Sequence, residues 1–150
     1  MALSSNCVGR VYPLTELYDV SRAKIREFAQ ALGSTNRLHF DVDAARGRGF
    51  ADLVAPPTFP ALVTIDAGHQ ALFDPELGLD YAHSLHGSQR FEYRRAIVAG
   101  DVIQVRVSIA EVSAGPRNER VTVRGDVLTV DGELLVVSSC VVVTPRGLPA

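Results

Sequence analysis

The stretch from Phe59 to Phe73 is apolar nearly all round, through Leu62, Val63, Ile65, Ala67 and Leu72. A helix without a broad polar face belongs inside a fold, with other elements packed on more than one side of it. The downstream half of the chain supplies those elements. From Ser84 onward the hydrophobic period changes to two. Phe91 and Tyr93 alternate with Glu92 and Arg94, and Ile103, Val105, Val107 and Ile109 alternate with Gln104, Arg106 and Ser108. Such alternation marks strands with one buried face. Gly115-Pro116-Arg117-Asn118 reads as a turn into a strand from about Arg120 to Val130, and Asp131-Gly132 as a two-residue hairpin. The last strand, from about Glu133 to Val143, is apolar on both faces and requires cover on each, and Pro145 ends it. Helices followed by a long antiparallel meander predict an α+β fold in which a curved sheet wraps one apolar helix.

Upstream, Ser21 is placed to cap a helix whose Ile25, Phe28, Ala29 and Leu32 fall at helical spacing, with Gly33 as its stop. Asp41 opens a second, short helix from Val42 to Arg46, closed by Gly47 or Gly49. Pro56-Pro57-Thr58 reads as the entrance of the apolar helix, because a missing N–H is no loss in a first turn. The segment from Asp74 to Asp80 is a loop. A chain of 150 residues with these elements is expected to form one domain over 1–150 with a full core.

An apolar share of 47% and a charged share of 21% are those of a globular protein, and a net charge of -2 creates no field to recruit nucleic acid or an anionic membrane. Neither is expected as a partner. The first residues lack a basic stretch followed by an apolar one, and no apolar run is long enough to span a bilayer. Cys7 and Cys140 stand far apart and give neither a disulfide framework nor metal spacing. They read as reduced thiols, and the expected location is cytoplasmic. His83-x-x-His86 lacks a third ligand nearby, so no metal and no cofactor is expected.

One stretch carries a family resemblance. Gly33-Ser34-Thr35-Asn36-Arg37-Leu38-His39, followed by Gly49-Phe50 and Ala55-Pro56-Pro57-Thr58-Phe59, resembles the signature of MaoC-like (R)-specific enoyl hydratases and (3R)-hydroxyacyl dehydratases. That signature runs Gly-Asp-x-Asn-Pro-Leu/Ile/Val-His and continues into Gly-Phe and Ala-Pro. Val8 to Pro13, Arg22 to Ala29, His86 to Tyr93 and Ala99-Gly100-Asp101 are similar to the N-terminal MaoC group, the FAS1-like dehydratases. That group includes small actinobacterial-type proteins once classed as an uncharacterised UPF family. The resemblance implies the hot-dog fold, a dimer with sites between subunits, and fatty-acyl thioesters of coenzyme A or acyl carrier protein as substrates.

Dehydrating a 3-hydroxyacyl thioester means removing a weakly acidic C2 proton while the C3 hydroxyl leaves as water, so two protons and a developing oxyanion must be managed. By the resemblance, His39 is the general base, which an ordinary neutral imidazole near pH 7 is suited to be. Asn36 either pins the loop or simply makes its turn. Ser34 stands where the family has its aspartate, and a hydroxyl does not titrate in the useful range. Asp41 and Asp43 read as the cap and first-turn carboxylates of the next helix rather than substitutes. Pro56 falls where the family places an oxyanion-binding glycine, and proline has no N–H to offer. Pro57 and Thr58 continue that substrate-binding entrance, and His86 and Gly87 begin the strand beside the acyl tunnel. Arg90, Arg94 and Arg95 form a solvated face or meet the phosphates of coenzyme A or phosphopantetheine.

A kept signature with two altered parts implies a hydro-lyase that is weakly active alone, or the substrate-binding subunit of a partner-dependent dehydratase. It would work as a homodimer or beside a second hot-dog subunit with an intact Asp/His pair. A hot-dog acyl-thioesterase and a non-catalytic acyl-binding subunit are the alternatives.

Overall fold

The computed structural model describes residues 2–146, so the expected bounds 1–150 run past it at both ends. Among the described residues, five strands form one antiparallel sheet in the order β1-β3-β4-β5-β2. They are β1 (Tyr18–Asp19), β2 (Leu85–Tyr93), β3 (Val102–Ala114), β4 (Asn118–Thr129) and β5 (Leu134–Pro145). Helices α1 (Arg22–Ala31) and α2 (Val42–Gly47) precede α3 (Ala61–Leu72), which packs on β3 and β4. The period-two reading holds: Ile103, Val105, Val107 and Ile109 are all fully buried on the face toward α3. Asp131-Gly132 lies in the turn from β4 to β5, but that turn spans residues 130–133 rather than two, closed by Thr129 N–H to Glu133 O (2.9 Å), with Gly132 at a φ of 89° where a side chain would be strained. β5 ends at Pro145, as expected, with Pro145 paired with Asn118 at the end of the ladder.

Two expectations about α3 are corrected. The helix does not begin at the proline pair. Residues 56–60 form turns closed by Phe59 N–H to Pro56 O (2.9 Å) and Ala61 N–H to Thr58 O (3.0 Å), and Pro60 is the N-cap. Three prolines within five residues remove donors and bias the residues before them away from helical angles, which delays the helix. Phe59 is instead driven fully into the core, edge-on to Phe28 at 5.5 Å and Tyr18 at 6.5 Å. Nor is α3 enclosed on all sides. Thr64, Ala67, Gly68, Ala71 and Leu72 are buried, while Ile65 is 44% exposed and Phe73, at the C-cap, 59%. The small residues face the sheet, where they let it approach closely, and larger apolar ones are left outside.

The two edges of the sheet differ. Along β3, the N-terminal segment supplies a ragged extra strand: Gly9, Tyr12 and Thr15 donate their N–H groups to Ile109, Val107 and Val105. β1 then pairs with Val102 and Ile103. Among the described residues no strand covers the outer side of β2.

Candidate functional site

The loop after α1 is built from short side chains that bond to nearby backbone. Ser21 caps α1 by accepting from Lys24 N–H, and Gly33 turns the chain out of the helix at a φ of 67°. Ser34 Oγ accepts from Asn36 N–H at 3.3 Å, and Asn36 Oδ1 accepts from Leu38 N–H at 3.1 Å, opening a single 3-10 turn over Arg37–His39. Asn36 therefore both makes the turn and fixes the loop. Asp41 accepts from Asp43 and Ala44 N–H, the cap expected of it, and those backbone bonds together with Arg37 hold its carboxyl below the usual range. A carboxylate so engaged is not free to stand in for the missing acid.

His39 ends this turn and is 5% exposed. Its Nδ1 lies 2.7 Å from the Val54 carbonyl oxygen, and Val54 N–H in turn donates to Leu38 O at 2.9 Å. A carbonyl can only accept, so Nδ1 carries a proton, and in the neutral ring Nε2 is the nitrogen that holds the lone pair. The segment that does this is itself anchored: Val54 bridges to Val98, Ala55 N–H donates to Ile97 O, and Arg22 clasps Asp52 with bonds of 2.8 and 2.6 Å. That clasp draws the Asp52 pKa down to about 2. Pro56 is buried beside it, Pro57 and Thr58 are exposed, and the Tyr93 hydroxyl donates to Pro57 O at 2.7 Å. Burial pushes the Tyr93 phenol up to about 12, so it stays a donor.

His86 and Gly87 are not part of this cluster. They lie at the far end of β2 from Tyr93, about 20 Å along a strand that rises ~3.3 Å per residue. Gly87 sits in a bulge between His86 and Ser88, where a Cβ would come 2.9 Å from Val143 Cγ2. His86 Nε2 is 3.9 Å from the Cys140 thiol, whose pKa burial raises. This end borders a cavity of about 170 Å³ beneath α3, between Gly68 and His69 above and Gly125, Ser138 and Cys140 below. Sequence reasoning missed Ser138, His69 and Tyr81 at this cavity. Gly68 and Gly125, which both line it, were the available signal. The Val54 carbonyl has no sequence signal, because any residue carries one.

The arginine trio is also divided. Arg95 is neither a solvated face nor a free cation: it donates to Asp101 and Glu133 and ties the two hairpin ends together. Arg90 pairs with Glu92 at 2.9 Å on the open strand. His83 Nδ1 lies 2.7 Å from Asp80. Among the described residues no group of three His, Cys, Asp or Glu is placed to hold a metal, and no helix is long and apolar enough to cross a membrane.

Against known proteins, the model of the FAS1-like dehydratase domain region matches residues 6–137. The chain belongs to that family. A UPF0336 protein of Thermobifida fusca is 40% identical to this dehydratase-family chain over 150 residues, covering 100% of the chain and 99% of the relative. Among solved structures, the HadBC (3R-hydroxyacyl-ACP dehydratase) complex of Mycobacterium tuberculosis has a subunit 26% identical at a TM-score of 0.80, covering 93% of this chain and 99% of that one. The (R)-hydratase from A. caviae involved in PHA biosynthesis matches in fold at a TM-score of 0.65 and 20% identity, covering 90% and 94%. The fold is the hot-dog fold, and family and fold together place the chain among MaoC-like (R)-hydratases and dehydratases.

Proposed function

We propose that the chain is one hot-dog unit of a two-subunit (R)-specific enoyl hydratase/3-hydroxyacyl dehydratase, with His39 as general base and the acidic group supplied by a partner hot-dog subunit. The observation that carries this is the Nδ1–H bond from His39 to the Val54 carbonyl at 2.7 Å, which leaves Nε2 as the basic nitrogen. In the dehydration direction Nε2 takes the C2 proton, the C2–C3 double bond forms, and the C3–O bond breaks as a second group protonates the departing hydroxyl. Ser34 cannot be that second group, since its oxygen is engaged by Asn36 N–H and it holds no titratable proton. Nor does Pro56 donate to the thioester oxygen.

The open edge of β2, next to the exposed Ile65, Phe73, Tyr81 and Leu85, supplies a surface for the partner. The similarity to a subunit of the HadBC dehydratase complex supports a paired arrangement. The acyl group would arrive as a thioester of coenzyme A or of acyl carrier protein, in a cytoplasmic setting.

Crotonyl-coenzyme A hydration, followed as loss of enoyl absorbance, tests the reading. The pure chain should turn over slowly, His39→Ala should abolish that rate, and Ser34→Asp should raise it by ~10²-fold. Full turnover by the unmodified chain alone would overturn partner dependence. An unchanged rate in His39→Ala would remove the base, and release of free thiol would indicate a thioesterase instead.

A further inference from the structure

We propose that Arg22 and Asp52 are positioning residues for His39: their ion pair holds the short strap of residues 52–55, whose Val54 carbonyl fixes the imidazole as its Nδ1–H form. The kinetic consequence rests on the reading of His39 as the base. The geometric claim stands without it.

Among the described residues the His39 ring makes one hydrogen bond, to Val54 O, so whatever fixes that carbonyl fixes the ring. Leu53, Val54 and Ala55 are buried and alternate their backbone bonds as a strand does. Val54 faces the 3-10 turn with both its groups, accepting from His39 and donating to Leu38 O. Leu53 O and Ala55 N–H face the other way, accepting from Ala99 N–H at 2.9 Å and donating to Ile97 O at 2.8 Å. The middle of the strap is thereby fixed, and its upstream end depends on Asp52. Asp52 Oδ1 accepts from Leu53 N–H at 2.7 Å and from Arg22 Nε at 2.8 Å, while Oδ2 accepts from Arg22 Nη2 at 2.6 Å. A two-pronged guanidinium contact resists rotation as a single-point ammonium contact does not. Arg22 is the first residue of α1, and the loop carrying His39 leaves from the other end of that helix. Base and carbonyl are therefore tied to one rigid element, each to a different end. Side-chain exposures of 48% for Arg22 and 16% for Asp52 make this a minor stabiliser, so its leverage lies in aim and not in stability.

The test compares Asp52→Ala, Arg22→Ala and the double variant with the unmodified chain. Arg124→Ala serves as a control, since it deletes an ion pair of similar exposure on β4. The first readout is nitrogen NMR of the His39 imidazole, taken where the ring is neutral, which separates the Nδ1–H form from the Nε2–H form. The unmodified chain and Arg124→Ala should show the Nδ1–H form alone. Asp52→Ala and Arg22→Ala should each release the ring into a mixture of the two. The second readout is crotonyl-coenzyme A hydration. In either variant kcat should fall ~10-fold with KM unchanged, because an aimed lone pair acts on the barrier and not on substrate binding. The double variant should lose no more than either single one, since each removes the same clasp. An imidazole that stays in the Nδ1–H form in both variants overturns the proposal, as does a fall in kcat that Arg124→Ala reproduces. If Asp52→Ala fails to fold, Arg22→Ala, which trims a half-exposed helix side chain, decides alone. If the chain shows no measurable hydration, the NMR readout decides. Should the mixture appear while His39→Ala hydrates as fast as the unmodified chain, the base reading fails and the positioning stands.

Discussion

The loop that leads toward α3 and the sheet beneath that helix handle polar groups in opposite ways. In the loop, around His39, the polar groups are paired over short sequence distances. Asn36 serves Leu38, Asp41 serves Asp43 and Ala44, and Val54 holds both Leu38 and His39. In the sheet beneath α3, Gln89 Nε2 donates to the Ser138 hydroxyl from another strand, and Gln89 Oε1 is buried with no partner among the described residues. Paired groups fix one geometry, which a general base requires. A buried acceptor left unpaired costs stability instead.

Substitutions can break this contrast in order of effect. The largest change should follow His39→Ala, with ~10² to 10⁴ lost from any hydration rate the chain shows alone or with a partner. Ser138→Ala should lose far less of that rate. If both variants lose activity equally, the two regions are not functionally separate. Next in size is Phe59→Ala, which empties the fully buried position joining α1 to the start of α3. It should destabilise the chain by ~3–5 kcal/mol in denaturant unfolding and loosen the His39 end first. Gly87→Ala strains the bulge at the opposite end through contacts of 2.9 Å to Val143 Cγ2 and 3.2 Å to Val141 O. A cost of ~1–3 kcal/mol is expected, with exchange protection lost in β2 and retained at Leu38 and His39. Asn36→Ala removes the cap of the 3-10 turn, should cost ~1 kcal/mol, and should lower turnover further than that loss of stability explains.

The smallest effect is set by pH. Asp52 is drawn down to about 2 by Arg22, so its contribution is complete above the unfolded carboxylate pKa of ~3.9 and fades as pH falls through 2. Melting temperature measured between pH 5 and 2 should therefore fall less in Asp52→Asn than in the unmodified chain. At pH 7 the same variant should melt only ~2 °C lower, because half-exposed ion pairs contribute little.

Much of the fold is legible in the residues. Val105 and Val107 between Gln104 and Ser108 announce a half-buried strand, Asp131-Gly132 announces the turn from β4 to β5, and Ser21 and Asp41 mark their helix starts. The start of α3 is not, because a proline is acceptable in a first turn one at a time, whereas Pro56, Pro57 and Pro60 act together. Its partial exposure is hidden too, because periodicity counts apolar residues and not their sizes. Ala67 and Gly68 face the sheet while Ile65 faces out. The motif around His39 is visible as a string of types. Its partner, a backbone carbonyl, and its separation from His86 depend on tertiary register that no local pattern encodes.

The N-terminal segment laid along β3 sets a limit on growth. A sheet with two bare edges can add members at each end and extend without bound, as fibrils do. Here one margin is already occupied by the chain's own residues 9–19, through Gly9, Tyr12, Thr15 and β1. Under the pairing proposed at β2, a subunit sealed in the same way would use the last free margin on each side, and the complex would close at two. The arm then acts as a terminator of the sheet.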